Sequence, residues 1–133
     1  MSTLLTLKQS VKKKGAGFIV LIDPDKKNDE NIIGLVENAN LNGADAIFVG
    51  GSIMMDSFYN DRIKKIKSIS NIPVILFPGG VNQISKHFDA ILFMSLLSGR
   101  NPHYLIGEQV LAAPIIKDIG IETIPTAYLL IDG

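Results

Sequence analysis

The chain has 133 residues, 47% hydrophobic and 20% charged, with 13 basic residues against 13 acidic ones and no cysteine. The apolar fraction excludes a disordered tail, the zero net charge argues against a nucleic-acid-binding surface, and the missing cysteines exclude disulfides, zinc–thiolate clusters and thiol catalysis. Charges within residues 1–14 and the lack of any apolar run of about 18 residues speak against a signal peptide or membrane span, and predict a soluble, cytoplasmic protein of one domain.

Lys12, Lys13 and Lys14 read as the solvated end of an N-terminal helix, or as a weak attraction to anionic membrane. Five short apolar runs follow, at residues 17–22, 46–49, 73–77, 90–94 and 127–131. None alternates apolar with polar residues, which predicts strands buried on both faces of a parallel sheet. Residues 28–40 place Ile32, Ile33, Leu35, Val36 and Ala39 at helical spacing, with Asn28 or Asp29 as cap and Gly43 beyond the end. Residues 58–69 put Phe58, Ile63, Ile66 and Ile69 on one stripe, with Arg62, Lys64, Lys65 and Lys67 mostly off it. Residues 79–87 are weak as a helix and predict an irregular crossover. Asn101 before Pro102 caps a helix that runs through Leu105, Ile106, Val110 and Leu111 towards Ile116, and Pro114 is expected to kink or divide it.

Alternating strands and helices define an α/β fold, either a doubly wound sheet or a (β/α) barrel. An internal echo favours the barrel. Asp45-Ala-Ile-Phe-Val-Gly-Gly-Ser52 is similar to Asp89-Ala-Ile-Leu-Phe-Met-Ser95, and the echo skips one strand, as shared core layers from alternate barrel strands would. Five strands cannot close an eight-stranded barrel of about 250 residues. The expectation is therefore a single partial TIM-barrel domain over residues 1–133, a half-barrel with strands six to eight absent.

Parallel α/β folds keep their sites at the carboxyl ends of strands. Asp23 follows a strand without other charge, so its carboxylate should stand at the sheet rim. With the hydroxyl of Ser52 it could form a half-shell for a hard cation such as Mg²⁺, which needs few protein ligands when a substrate diphosphate supplies the rest. The same residues could equally cap a turn and a helix. Gly50-Gly51 and Gly79-Gly80 could let backbone amides approach a phosphate, or simply make tight turns. Arg100, within Ser98-Gly99-Arg100-Asn101, could grip a diphosphate bidentately or pair with a surface acid. His87 and His103 lack metal-binding spacing and read as structural or exposed. Phe48, Met54, Met55, Phe58, Phe93 and Tyr104 read as core rather than as a lipid pocket.

The motifs Leu21-Ile-Asp-Pro-Asp-Lys26, Ile47-Phe-Val-Gly-Gly-Ser52, Leu76-Phe-Pro-Gly79, Ser98-Gly-Arg-Asn-Pro102, Ala112-Ala-Pro-Ile-Ile-Lys117 and Pro125-Thr-Ala-Tyr-Leu-Leu-Ile-Asp-Gly133 follow one another in order. Together they resemble the geranylgeranylglyceryl phosphate synthase family, or phosphoglycerol prenyltransferases, in the sequence group that includes bacterial members. The resemblance implies a modified TIM barrel with an irregular crossover after the third strand. It also implies Mg²⁺-dependent transfer of a long prenyl group from its diphosphate to the 3-hydroxyl of sn-glycerol 1-phosphate, in ether phospholipid biosynthesis. Carried over by position, Asp23 and Ser52 match the magnesium-binding residues. Asp25, Gly51, Gly79, Ser98, Arg100 and Tyr128 are the substrate-binding candidates, and no base can be named.

The family continues past the Ile-Asp-Gly motif into strands whose glycine-rich loops hold the phosphate of glycerol 1-phosphate. These 133 residues are therefore expected to be inactive alone, and to associate with themselves or a complementary chain through open strand edges. The competing expectation is a non-catalytic half-barrel that serves as an interaction module.

Overall fold

The computed structural model describes residues 1–51 and 56–131. Five strands, β1 (Ile19–Ile22), β2 (Ala46–Val49), β3 (Val74–Leu76), β4 (Ala90–Leu96) and β5 (Glu122–Tyr128), form one parallel sheet in the order β1-β2-β3-β4-β5. Each strand lies beside its neighbour in the chain. That order is the one a (β/α) barrel uses, whereas a doubly wound sheet reverses direction at a switch point. The helices are α1 (Thr3–Lys14), α2 (Ile32–Leu41), α3 (Tyr59–Ile69) and α4 (Glu108–Ile119).

Strand alternation divides the apolar residues between two faces. Ile47, Val49, Val74, Leu76 and Ile91 meet α2, α3 and α4 through Val36, Ile63, Ile66 and Ile116. On the other face Ala46, Ile75, Ala90, Leu92 and Ile124 pack with Phe48, Phe77 and Met94, and receive Leu4 and Leu7 from α1. The Phe77 ring meets Tyr128 edge-on at 5.7 Å although β4 lies between their strands. Adjacent strands are about 4.8 Å apart, so this contact reflects a sheet that curves concavely around its inner face. The architecture is a half-barrel.

The central runs are buried on both faces, as continuous apolar patterning predicts, but the edge strands are not. In β1, Ile22 is buried while Leu21, on the inner face, is 60% exposed. The fifth strand was expected at residues 127–131 and instead occupies Glu122–Tyr128, in register with β4 along its whole length. Apolar continuity misplaced it because an edge strand buries little: only Ile124 is buried, and Pro125 is tolerated there as it would not be in a central strand. Its Glu122 carboxylate accepts hydrogen bonds from the amides of Thr3 (2.6 Å) and Leu4 (3.0 Å), placing negative charge at the start of α1.

Three local expectations change as well. Asn28 and Asp29 do not cap α2. They belong to a 3-10 turn at Lys26–Asn28, and α2 begins after Asn31. Pro114 does not divide α4, which runs unbroken over Glu108–Ile119 because the carbonyl the proline leaves unpaired belongs to solvent-facing Val110; a π turn lies at His103–Gly107 just before the helix. Phe58 and Tyr104 are not core, being 63% and 48% exposed. The irregular crossover after β3 is present as a 3-10 turn, Val81–Gln83.

The sequence echo has a structural counterpart. Asp45 donates its amide to Phe18 O (2.7 Å) and accepts the Phe18 amide on its carboxylate (2.8 Å) and the Lys14 ammonium (2.7 Å). Asp89 does the same with Val74 O (2.9 Å), the Val74 amide (2.7 Å) and Lys67 (2.6 Å). Each acid thus ties the start of its strand to the start of the preceding one and to the end of a helix. Hydrogen bonds from Lys14, then from the Phe18 amide and Ser10, lower the Asp45 carboxyl from 3.8 to about 2. A depressed folded-state value stabilises the fold above the unfolded value and loses that effect as pH falls. Urea denaturation at neutral pH should show Asp45→Ala less stable by about 1–2 kcal/mol, the effect of losing hydrogen bonds to a charged carboxylate whose partners Lys14 and Phe18 are themselves exposed. Between about pH 4 and pH 2 the wild-type chain should lose stability more steeply than the variant.

Candidate functional site

The carboxyl ends of β1, β2 and β3 converge because glycine stands where they touch. A Cβ on Gly50 would lie 1.9 Å from Phe77 O, one on Gly51 2.6 Å from Asp23 Oδ1, and one on Gly79 2.7 Å from Gly51 O. The Asp23 carboxylate therefore rests over the Gly51 backbone, which in turn lies beneath Gly79. Gln83, fully buried, binds the last two strand ends together: its Nε2 donates to Gly51 O (2.6 Å) and its Oε1 accepts from the Gly79 amide (2.8 Å). The buried Tyr59 hydroxyl donates to Gln83 O (2.7 Å), and burial pushes that phenol well up. The Gly79 amide is thus already engaged, and what its lack of a side chain provides is close approach.

Asp23 Oδ1 accepts from the Asp25 amide (3.1 Å) across Pro24, and Asn28 Nδ2 donates to Asp23 O (2.9 Å). Asp25 caps the following turn, accepting from the Lys27 amide (2.9 Å). The turn-forming role weighed for Asp23 is real, yet it occupies only one side of the carboxylate. The side chain remains 42% exposed, with Lys27 Nζ 3.9 Å from Oδ2. Among the described residues no cluster of three or more His, Cys, Asp or Glu forms a ready metal cage. A single exposed carboxylate over a glycine cradle does fit Mg²⁺, which commonly keeps its waters and takes one or two carboxylates plus substrate phosphates. Ser52, Met54 and Met55 lie outside the described residues.

Arg62 is the residue that sequence reasoning misplaced. It was expected off the buried stripe of α3 and is only 5% exposed. Its guanidinium binds Asp29 through Nε and Nη2 (3.0 Å for the latter) and Asp56 through Nη1 (2.7 and 2.8 Å). Those hydrogen bonds hold both carboxyls below their usual range and raise the guanidinium further. Helical periodicity could not reveal this, since one partner lies 33 residues away in sequence.

Beyond Gly79 a cavity of about 260 Å³ opens between the ends of β3 and β4 and the start of α4. Phe77, Val81, Leu92, Met94, Tyr104 and Tyr128 supply much of its apolar wall. Its polar members are largely committed: Glu108 accepts from the Val81 amide (3.1 Å) and pairs with His103 Nε2 (2.7 Å), while Gln109 Nε2 donates to Met94 O. Tyr104, expected as core, lines this pocket instead. Ser98 Oγ, after β4, accepts from the Leu130 amide (2.9 Å), and Arg100 is exposed with no ion pair among the described residues. Asp23, Gly51 and Gly79 are thus brought together, with Tyr128 across the cavity from Gly79, while Ser98 and Arg100 stand on the loop after β4.

A family model described as the PcrB family matches residues 8–133. Geranylgeranylglyceryl phosphate synthases of Chitinophaga pinensis and Korarchaeum cryptofilum are 46% and 51% identical to this chain, over 92% and 85% of it and 49% and 46% of their own lengths. The wild-type GGGPS of Thermoplasma volcanium superimposes with a TM-score of 0.84 at 40% identity, over 95% of this chain and 52% of that one. The Thermoplasma acidophilum (S)-3-O-geranylgeranylglyceryl phosphate synthase, in complex with its substrate sn-glycerol-1-phosphate, gives 0.85 at 39% identity, over 99% and 53%. The chain spans about half the length of the curated relatives it matches. No helix among the described residues is long and apolar enough to cross a membrane.

Proposed function

The chain belongs to the PcrB family, and on that premise we propose that it carries the donor half of a prenyltransferase site that acts on sn-glycerol 1-phosphate. The observation that carries the proposal is the continuity from Asp23 across Gly51 and Gly79 into the apolar cavity. A long prenyl diphosphate has the same division, a charged head and a hydrocarbon tail. Asp23, with Ser52 by resemblance, would hold Mg²⁺, which when bound neutralises charge on the departing diphosphate. Phe77, Leu92, Met94 and Tyr128 exclude water from the tail, and Arg100 is a candidate cation for the diphosphate oxygens. The transfer breaks the bond between prenyl C1 and the diphosphate oxygen and forms one from C1 to the 3-hydroxyl oxygen of the acceptor, whose proton is lost to solvent or to a base not identified in this chain. The products are the ether and diphosphate.

Under the same reading the described residues account for the prenyl diphosphate and not for the acceptor phosphate. Incubated with labelled geranylgeranyl diphosphate, sn-glycerol 1-phosphate and Mg²⁺, these 133 residues should yield no ether product above a protein-free control. Adding the C-terminal half of the Chitinophaga pinensis synthase should restore it. Robust product from the chain alone would overturn the division of the site.

A second reading, association through the open barrel, has its own support. Phe18 (53% exposed) and Leu21 beside β1, and Leu129 to Ile131 beyond β5, leave apolar side chains at both sheet edges.

A further inference from the structure

We propose that Arg62 is a positioning residue for the Asp23 carboxylate, acting through the 3-10 turn that separates them; this rests on the reading of Asp23 as the metal-binding acid.

Arg62 sits on α3 between Tyr59, Ile63 and Ile66, all buried against the sheet. An apolar side chain would pack there without the desolvation that a buried guanidinium brings. The guanidinium is buried while Asp29 and Asp56 remain 47% and 29% exposed, and ion pairs that solvent reaches contribute little, so stability alone is a poor reason for this one. What the guanidinium fork supplies is direction, since its planar donors fix two carboxylates in orientation as well as distance.

Those carboxylates lie on the two loops that follow β1 and β2. Asp56 accepts the Phe58 amide (2.9 Å) and so forms the turn that starts α3, which anchors the fork to the helix carrying it. Asp29 closes the turn after β1: its amide donates to Lys26 O (3.2 Å), and the Asn28 amide donates to Asp25 O (2.9 Å). From there the hydrogen bonds run directly back to the acid. Asn28 Nδ2 donates to Asp23 O, and the Asp25 amide donates to Asp23 Oδ1. Every link between Arg62 and the Asp23 carboxylate is therefore a hydrogen bond or a single turn of chain. On the opposite side Asp23 has the glycine cradle of Gly51, which offers close approach and no side chain to orient it. The orientation of the carboxylate comes from the turn, and the turn is held to the body of the fold by Arg62.

The test is Mn²⁺ binding to the chain, read from the free-ion electron paramagnetic resonance signal, together with thermal melting. Arg62→Lys keeps the charge and removes the fork. Asp29→Asn releases the turn while leaving the Arg62–Asp56 pair in place. Both should bind Mn²⁺ about tenfold more weakly than wild type, the scale at which partners outside the ligand set act on metal affinity. Asp29→Asn should melt within a few degrees of wild type, so that it decides the matter if Arg62→Lys fails to fold. Wild-type affinity in either folded variant would overturn the positioning role and leave Arg62 as a structural ion pair. No Mn²⁺ binding by wild type, or unchanged binding by Asp23→Ala, would instead remove the metal reading of Asp23, and the role assigned to Arg62 with it.

Discussion

Gly50→Ala is expected to destabilise the chain by about 4 kcal/mol or more, at the upper end of single substitutions. The added Cβ would meet Phe77 O at 1.9 Å and Phe77 Cβ at 3.2 Å, deep between β2 and β3. Neither strand can yield cheaply. The Gly50 amide donates to Ile22 O (3.2 Å) and the Phe77 amide donates to Val49 O (2.9 Å), so moving either backbone breaks the ladder of a central strand. Gly34→Ala provides the contrast. No atom lies within 4 Å of its Cβ position, and it is a helical residue of α2, so the same chemical change should stabilise by about 0.5–1 kcal/mol. Urea denaturation of both variants checks the pair, and a Gly50→Ala chain as stable as wild type would show that the strand ends do not converge as described.

If Asp23 is the proposed metal ligand, Asp23→Ala should weaken Mn²⁺ or Mg²⁺ binding about a hundredfold or more, since outer partners alone act over about 10–100-fold. It should leave stability almost unchanged, because the carboxylate is 42% exposed and, among the described residues, accepts one close hydrogen bond, from the Asp25 amide. Gly51→Ala should show a smaller loss of the same kind, because its Cβ would press on Asp23 Oδ1 at 2.6 Å and turn the carboxylate away. Isothermal titration of the divalent ion into each protein separates these cases. Equal affinity in wild type and Asp23→Ala would remove the acid from the site.

The fold was readable in the sequence where both faces of a strand are covered. β2, β3 and β4 are continuous apolar runs because helices pack on one side and the concave face closes the other. β5 is not legible as an apolar run, because its position depends on backbone pairing with β4 and on Glu122 capping α1, neither of which leaves an apolar pattern. At the site, Asp23 and the glycine pairs stood out because a charge after an apolar strand and doubled glycines are local signals. Arg62 and Gln83 did not. Each is a polar residue buried by partners far away in sequence, and on a helical wheel or beside a weak turn each resembles ordinary surface. The internal echo of Asp45 and Asp89 was visible as a pattern, but only the structure shows that each acid clamps a lysine and the start of the previous strand.

The proposed function has one half of a barrel hold the prenyl diphosphate, with its head at Asp23 and its tail in the cavity beyond Gly79. Titration of the 133-residue chain with an unreactive thiolo analogue of geranylgeranyl diphosphate, with and without Mg²⁺, is the decisive measurement. Saturable binding that requires both the divalent ion and Asp23, and that weakens when the prenyl chain is shortened, is the predicted result. Failure to bind, or binding indifferent to Mg²⁺ and to Asp23→Ala, would contradict it.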